Sequence, residues 1–257
     1  MISPDDIREG LAAGQFFLEY LPTVSLVDGR CCGAEALLRW RRGSELVPPM
    51  DFITVAENTA VSGLITYWVM DTVALEMSDW LRAHPQAHIA INVPPEIVGR
   101  GGLEYVANKS GLIELASQLV VELTERGLPD MMALNAINRA SALGIRVAVD
   151  DATLQGGANV AVLARANIDI VKLDKTLVAQ ISPQCPHPAW LDDLAALNQS
   201  PRLVVIAEGV ETEQQLIALQ AAGLKAAQGF YFSPPVGAAA FIEFHRANQV
   251  PRWQGPV

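Results

Sequence analysis

The chain has 257 residues, of which 51% are hydrophobic and 18% are charged. This length accommodates one large α/β barrel or two small domains, and the apolar fraction is sufficient for a packed core, which excludes a disordered chain. With 18 Lys and Arg against 28 Asp and Glu, the net charge is −10. The sequence shows no basic patch for a polynucleotide backbone, so we expect neither DNA nor RNA polymers as ligands.

The amino terminus predicts a cytoplasmic protein. Residues 1–6 are polar and acidic, whereas a secretory signal begins with cationic residues and continues into an apolar run. The sequence also contains no run of about 18 apolar residues, so we expect no membrane-spanning segment.

Short β-rich runs alternate along the chain with longer stretches of helical spacing. The predicted strands are 16–21, 32–38, 88–93, 119–125, 145–151, 168–173, 203–208 and 225–230. The predicted helices are 51–58, 64–81, 131–143, 190–198, 212–222 and 238–247. This alternation is typical of βαβ units and a parallel sheet, and about eight strands favour a single (β/α)8, TIM-like barrel. The turn residues Asp28 and Gly29 predict an opening hairpin, and therefore one antiparallel strand.

Seven of the predicted strands carry an ionisable or amide residue near the carboxyl end. These residues are Glu35, Asn92, Glu122, Asp150 with Asp151, Lys172, Glu208 and Gln228. A single charged residue at a strand end is usually solvated, but the recurrence over seven strands favours a shared site. The carboxyl ends of parallel strands meet at one face of a barrel, which is the face that holds active sites.

Carboxylates so close together repel one another unless cations neutralise them. Carboxylate and amide oxygens are hard ligands that suit Mg²⁺ or Mn²⁺. Adjacent aspartates such as Asp150 and Asp151 can serve two neighbouring ions, as in two-metal phosphodiester hydrolysis. The pattern therefore predicts an oxygen-rich site for two metal ions, with Lys172 as the cation that steadies a phosphate or holds a water.

Residues 35–40, with the sequence EALLRW, resemble the signature of the EAL-domain family, the cyclic di-GMP phosphodiesterases. The resemblance continues in order through INV at 91–93, ELTE at 122–125, DD at 150–151, VKLD at 171–174, AEGVET at 207–212 and QGF at 228–230. It covers roughly residues 7–244. The expectation is one EAL-type barrel domain over residues 1–257, with its core at about 7–247.

The resemblance implies a role for each matching position. The implied metal ligands are Glu35, Asn92, Glu122, Asp150, Asp151 and Glu208, with Asp150 bridging two Mg²⁺ or Mn²⁺ ions. The implied catalytic set is Lys172, Glu208 and Asp151. The implied substrate contacts are Leu38, Arg39, Asp174 and Gln228, and Glu125 is implied to order the loop after the paired aspartates. The implied reaction is hydrolysis of cyclic di-GMP to linear pGpG.

The sequence departs from the family pattern after the paired aspartates. Active members usually carry a loop like DFGTGYSSL, whereas residues 151–160 here read DATLQGGANV. Pro94 also stands where the family often has Ser. The altered loop, residues 152–159, favours an alternative: a catalytically weak or inactive EAL domain that acts as a cyclic di-GMP receptor or protein-interaction regulator. The sequence shows no recognisable sensor domain, so we expect regulation to come from a regulatory protein partner, from a homodimer or from a part of the gene outside this sequence.

A third alternative makes no use of the family. Lys172 in a barrel could form a Schiff base with a carbonyl substrate, as desolvated lysines do. The neighbouring carboxylates would keep its amine charged, which argues against this chemistry.

Overall fold

The computed structural model describes residues 1–98, 101–124, 131–152, 167–198 and 203–252. The strands in this part of the chain are β1 (Phe16–Ser25), β2 (Cys31–Arg42), β3 (Glu45–Val47), β4 (His88–Asn92), β5 (Leu119–Thr124), β6 (Arg146–Ala152), β7 (Ile170–Leu173), β8 (Val204–Ala207) and β9 (Ala226–Ala227). Eight of these strands close into a barrel in the order β1, β2, β4, β5, β6, β7, β8, β9, and β3 extends from β2. The predicted TIM-like barrel is confirmed.

Helices surround this barrel. Within the described ranges they are α1 (Pro4–Ala12), α2 (Pro49–Ala56), α3 (Ala60–Ala83), α4 (Gly102–Ser110), α5 (Met131–Ala142), α6 (Lys175–Val178), α7 (Trp190–Asn198), α8 (Glu213–Ala221) and α9 (Ala238–Ala247). Two 3₁₀ segments, Pro95–Ile97 and Leu112–Gln118, follow β4 and precede β5. No helix in the described part of the chain has the length and apolar character needed to cross a membrane.

The antiparallel strand is β1. It pairs antiparallel with β2 on one side and with β9 on the other, whereas β2, β4, β5, β6, β7, β8 and β9 follow one another in parallel. The hairpin of β1 and β2 is paired from Phe16 opposite Trp40 to Val24 opposite Cys31. The predicted opening hairpin is therefore confirmed, and the strands are longer than expected because the pairing continues past Leu38.

Sequence periodicity did not predict α1, although its start carries a strong capping signal. The Ser3 hydroxyl accepts the Asp6 backbone N–H, the Asp6 carboxylate accepts the Ser3 backbone N–H, and Pro4 stands at the first helical position. This reciprocal pair satisfies backbone donors that a helix start otherwise leaves without partners.

The barrel interior is built in layers because side chains alternate along each strand. The middle layer is a cluster of small and aliphatic residues, namely Ala90, Val120, Ala148, Ile170, Ile206 and Ala226. The residues two positions further along each strand are Asn92, Glu122, Asp150, Lys172, Glu208 and Gln228. The polar residues singled out from the sequence therefore form the layer above an apolar interior, at the carboxyl ends of the parallel strands.

His88 lies two positions before Ala90, near the amino end of the barrel, and is buried. Gly33 is paired with His88, and a Cβ atom at Gly33 would lie 2.4 Å from the His88 carbonyl oxygen, so only glycine fits there. Burial and the positive charge of Arg146 lower the pKa of His88 to about 3. The imidazole is therefore neutral in the folded protein at any pH well above this value.

This burial predicts an acid-sensitive fold. In the unfolded chain a histidine protonates near pH 6.5, whereas folded His88 does not, so stability falls as the pH drops below 6.5 and continues to fall towards pH 3. At pH 4.5 the contribution of His88 to this loss is about 2–3 kcal/mol. We expect His88→Gln to flatten the pH dependence of the free energy of unfolding, measured by urea denaturation between pH 8 and pH 4.5. The exposed His187→Gln serves as the control, and equal pH slopes in the wild type and His88→Gln would contradict the assignment.

Candidate active site at the mouth of the barrel

The Lys172 ammonium group lies at the centre of four carboxylates. Its Nζ atom is 2.6 Å from Glu208, 2.9 Å from Glu35, 2.9 Å from Glu122 and 3.5 Å from Asp150. The Lys172 side chain is 1% exposed, so this charge is held away from water. We call these five residues the acidic cluster. The sequence predicted that they share one face, and the structure brings them into direct contact.

The residues of the acidic cluster come from five different strands or strand ends. Glu208 follows β8 directly, and the backbone turns immediately afterwards at Gly209, which has a φ of +68°. A Cβ atom at this position would lie 2.5 Å from the Cβ of Lys175, so glycine permits both the turn and the close packing.

Asn92 extends the acidic cluster on the side of β4. Its Nδ2 atom donates a hydrogen bond to Glu35 Oε1 at 2.7 Å, while Glu35 Oε2 accepts from Lys172. Asn92 is paired with Glu122 in the parallel register of β4 and β5. Hydrogen bonds to both carboxylate oxygens therefore orient the Glu35 side chain.

The charges of the acidic cluster are unbalanced, with four carboxylates around one ammonium group. Burial favours the neutral amine of Lys172, but the carboxylates of Glu122, Glu35, Glu208 and Asp150 outweigh it and hold its pKa well above the usual value. Burial and the charges of Glu35 and Asp150 raise the pKa of Glu122 well above its ordinary value. Burial also raises the pKa of Glu208 to about 7, although Lys172 acts in the opposite direction.

The donor set of this layer fits a divalent cation. Carboxylate and amide oxygens are the ligands that Mg²⁺ and Mn²⁺ prefer, and four carboxylates meet here around a single ammonium group. In the described residues the carboxylates surround the lysine, and no group of three or more His, Cys, Asp or Glu residues is arranged around a common metal position. The chemistry of the ligands is therefore present, while the geometry is that of a cluster neutralised in part by Lys172.

Neighbouring residues hold two of the predicted substrate contacts, Arg39 and Gln228, in place. Arg39 Nε donates to Glu19 Oε2 at 2.7 Å, and Arg39 Nη1 donates to the Leu38 carbonyl oxygen at 3.1 Å, so the guanidinium is held against the wall formed by β1 and β2. Gln228 is 2% exposed and donates from Nε2 to Thr23 Oγ1 at 2.9 Å.

The remaining predicted site residues either have another local role or lie outside the described structure. The Asp174 side chain accepts the Thr176 backbone N–H and caps α6. Asp151 belongs to β6, but its side chain is outside the described structure. Glu125 and residues 153–159 of the altered loop also lie outside the described residues.

A cleft of about 630 Å³ adjoins the acidic cluster between the ends of β2 and β4 and the helices α2 and α3. Asn92 and Glu122 line its inner end, and Leu38 and Arg39 line one wall. Its volume is typical of small-molecule sites. The sequence patterns did not predict the cleft, since its remaining walls come from elements distant in sequence.

The sequence patterns also did not identify Glu19 and Thr23 as residues that contact the site. The available signal was the alternation of β1, in which Glu19 stands among hydrophobic residues at 16–21. Opposite charges on neighbouring antiparallel strands attract each other, and here Glu19 accepts a hydrogen bond from Arg39.

Comparison with known proteins assigns the family. The family model described as "EAL domain" matches residues 5–235. The chain belongs to the EAL domain family. The motifs at 35–40, 91–93, 122–125, 150–151, 171–174, 207–212 and 228–230 all fall inside the matched residues.

Two similar proteins are named as phosphodiesterases. The chain is 32% identical over 247 residues to "Cyclic di-GMP phosphodiesterase PdeR" of Escherichia coli K12, covering 94% of this chain and 37% of PdeR. It is 31% identical over 251 residues to "Cyclic di-GMP phosphodiesterase NbdA" of Pseudomonas aeruginosa PAO1, covering 95% of this chain and 32% of NbdA. The chain therefore spans about a third of the length of these two relatives. EAL domain family membership makes this chain a relative of phosphodiesterase hydrolases.

A solved structure supports the fold assignment. The PaMucR phosphodiesterase, solved as a c-di-GMP complex, superimposes with a TM-score of 0.83 at 29% identity, and the match covers 92% of this chain and 98% of that one. The barrel described above is therefore the EAL fold, and it is the fold of a protein that has been solved with cyclic di-GMP bound.

The central ammonium group predicts a large loss of stability when it is removed. In Lys172→Met, four carboxylates, of which Glu35 and Glu122 are buried, remain together without the cation, and breaking such a buried ion pair costs about 3–5 kcal/mol. We expect this loss in the free energy of unfolding, measured by urea denaturation in EDTA at pH 7.5. Lys109→Met removes an exposed lysine from α4 and should change stability by less than about 0.5 kcal/mol. Wild-type stability in Lys172→Met would contradict the central role of this charge.

Proposed function

We propose that this chain is a divalent-metal-dependent phosphodiesterase that hydrolyses cyclic di-GMP to linear pGpG. The observation that carries the proposal is the acidic cluster: four carboxylates and one lysine meet at the mouth of an EAL barrel, beside a cleft lined by Arg39. The names of PdeR and NbdA and the complex of PaMucR with c-di-GMP support the same substrate.

We assign the metal-binding role to the oxygen ligands of the upper layer of the barrel. The proposed ligands are Glu35, Asn92, Glu122, Asp150, Asp151 and Glu208. When bound, Mg²⁺ or Mn²⁺ would supply Lewis-acid stabilisation of the phosphoryl oxygens and would lower the pKa of a water. Bound cations would also balance the excess negative charge of the acidic cluster.

The residues of the chain bind and orient the reactants. Hydrolysis requires a water oxygen to attack phosphorus while the bond from phosphorus to the 3′ oxygen breaks, which leaves a 5′ phosphate and a 3′ hydroxyl group that takes up a proton. Lys172 has the charge and the central position to help position the water once bound cations draw carboxylates away from it, with Glu208 and Asp151 completing the catalytic set. Arg39 would bind the phosphate through its guanidinium, which Glu19 orients.

The remaining assignments concern the nucleotide and the loop. Leu38, Asp174 and Gln228 are proposed to contact the substrate at the edges of the site, and Glu125 to order the loop that follows the paired aspartates. Lys172 is surrounded by carboxylates that keep it charged, and a charged amine does not attack a carbonyl. This environment argues against the Schiff-base alternative.

A second candidate function rests on the sequence of the altered loop. Residues 152–159 lack the pattern usual in active EAL domains, which favours a weak enzyme or a cyclic di-GMP receptor that regulates a partner protein. The positions proposed as metal ligands nevertheless carry the expected residues, which favours the enzyme. Production of pGpG separates the two candidates.

The enzyme proposal predicts strict dependence on metal and on its ligands. We expect the purified chain to convert cyclic di-GMP to pGpG with Mg²⁺ or Mn²⁺ and to lose this activity in excess EDTA. Glu35→Gln should reduce kcat/KM by about 100-fold or more, because loss of a direct ligand costs at least as much as loss of a residue that only orients one. Chromatography of the products gives the measurement, with Glu114→Gln as the matched control at an exposed position of the 3₁₀ segment Leu112–Gln118. Tight binding of cyclic di-GMP without formation of pGpG, in the presence of either Mg²⁺ or Mn²⁺, would favour the receptor function instead.

Replacement of the metal gives a separate prediction. Ca²⁺ accepts more ligands at longer distances than Mg²⁺, so it should support nucleotide binding without the geometry that activates a water. We expect calorimetry to detect cyclic di-GMP binding in Ca²⁺, and turnover to be negligible until Mg²⁺ or Mn²⁺ is added. Similar rates in Ca²⁺ and Mg²⁺ would be inconsistent with this model.

A further inference from the structure

The cleft beside the acidic cluster has a mainly apolar body. Leu38, Ile53, Ile65, Val69 and Pro94 contribute to its walls, and Asn92 and Glu122 connect it to the acidic cluster. A ligand whose phosphate lies at the acidic cluster can therefore extend a flat, weakly polar group into this cleft. A purine base is such a group, since its faces are apolar and its edges carry hydrogen-bonding atoms.

Glu96 also lines this cleft, and it lies in a short 3₁₀ turn, Pro95–Ile97. It follows two prolines, Pro94 and Pro95, whose rings fix their φ angles. The Ile97 backbone N–H donates to the Pro94 carbonyl oxygen at 3.1 Å and closes the short 3₁₀ turn around Glu96. Upstream, the Val93 backbone N–H donates to the Glu122 carbonyl oxygen at 2.9 Å, so this segment is anchored next to the acidic cluster.

The Glu96 carboxylate is itself oriented by a neighbouring turn. Glu96 Oε1 accepts the Asn58 backbone N–H at 2.9 Å, which joins the segment after β4 to the turn between α2 and α3. Asn58 has a φ of +59° and is the one non-glycine residue with a positive φ in the described ranges. Asparagine tolerates this left-handed conformation better than most residues, which is consistent with the sequence placing it here.

A fixed carboxylate in an apolar cleft selects for a particular chemistry. It repels phosphate, and as an ionised group it accepts hydrogen bonds but donates none. Guanine presents two adjacent donors on one edge, N1–H and the 2-amino group, and these match the two oxygens of a carboxylate. Adenine has no such pair of donors on the corresponding edge.

We propose that Glu96 is a specificity-determining residue that accepts hydrogen bonds from the N1–H and 2-amino groups of one guanine of the substrate, with its carboxylate held in place by Asn58. This inference rests on the proposed function, since it requires the phosphodiester to lie at the acidic cluster. Glu57 lines the same cleft on an exposed position at the end of α2. Glu96 differs from Glu57 in that its carboxylate is held by a backbone donor on a second element.

The test compares Glu96→Gln with the wild type on two substrates. Glutamine retains an oxygen that can accept the Asn58 N–H, so the fold is expected to be preserved, which the melting temperature checks. Loss of hydrogen bonds to a charged group should raise KM for cyclic di-GMP by about 10- to 100-fold, with little change in kcat. Hydrolysis of bis(p-nitrophenyl) phosphate, which has no base, should be unchanged. Glu114→Gln provides the matched control at an exposed position.

A change in the ligand tests the same contact without relying on the variant alone. Cyclic di-IMP lacks the 2-amino groups, so the wild type should bind it about 10-fold more weakly than cyclic di-GMP, as measured by calorimetry in Ca²⁺. Glu96→Gln should lose most of this preference. An equal preference in both proteins, or an equal loss of activity on bis(p-nitrophenyl) phosphate, would overturn the assignment of Glu96.

The two proposals fail in different ways. If the wild type hydrolyses neither cyclic di-GMP nor bis(p-nitrophenyl) phosphate with Mg²⁺ or Mn²⁺ and does not bind cyclic di-GMP, the proposed function fails, and the assignment of Glu96 fails with it. If the wild type hydrolyses both and Glu96→Gln retains the wild-type KM, the proposed function stands and only the role of Glu96 is overturned. If the wild type binds cyclic di-GMP without hydrolysing it, the dissociation constants for cyclic di-GMP and cyclic di-IMP still test the role of Glu96.

Discussion

The contact of the Lys172 ammonium group with four carboxylates is the interaction on which the mouth of this barrel depends. The carboxylates come from separate strands and would repel one another strongly in a buried environment, where charges are poorly screened. Lys172 draws them to one point and makes their burial tolerable. Asn92 joins this arrangement by donating to Glu35, and Asn92 and Glu122 also line the adjoining cleft.

Much of this site was accessible from the sequence because strands have a period of two. A polar residue that stands two positions after a small or aliphatic interior residue, as Glu122 does after Val120, faces the same interior. The barrel rules then bring the strand ends together. The contact between Lys172 and Glu35, which are 137 positions apart, could not be read from spacing, since it depends on how the barrel closes.

Other features were not predictable for a different reason. The bond between Arg39 and Glu19 depends on the register of the opening hairpin, and the bond between Glu96 and Asn58 depends on how two loops approach each other. Local sequence patterns contain no information about either of these two hydrogen bonds. The start of α1 is the opposite case, since its capping signal at Ser3 and Asp6 was present in the sequence and hydrophobic periodicity alone did not detect it.

The opening hairpin also constrains how this protein can vary. Glu35 contacts the lysine and Arg39 lines the cleft, and both lie on β2, where an unbroken register runs from Phe16 opposite Trp40 to Thr23 opposite Gly33. Insertion or deletion of one residue between Glu35 and Arg39 would turn Arg39 to the other face of the strand and remove Trp40 from its stack on Phe16. This wall can therefore diverge by substitution but not by change of length.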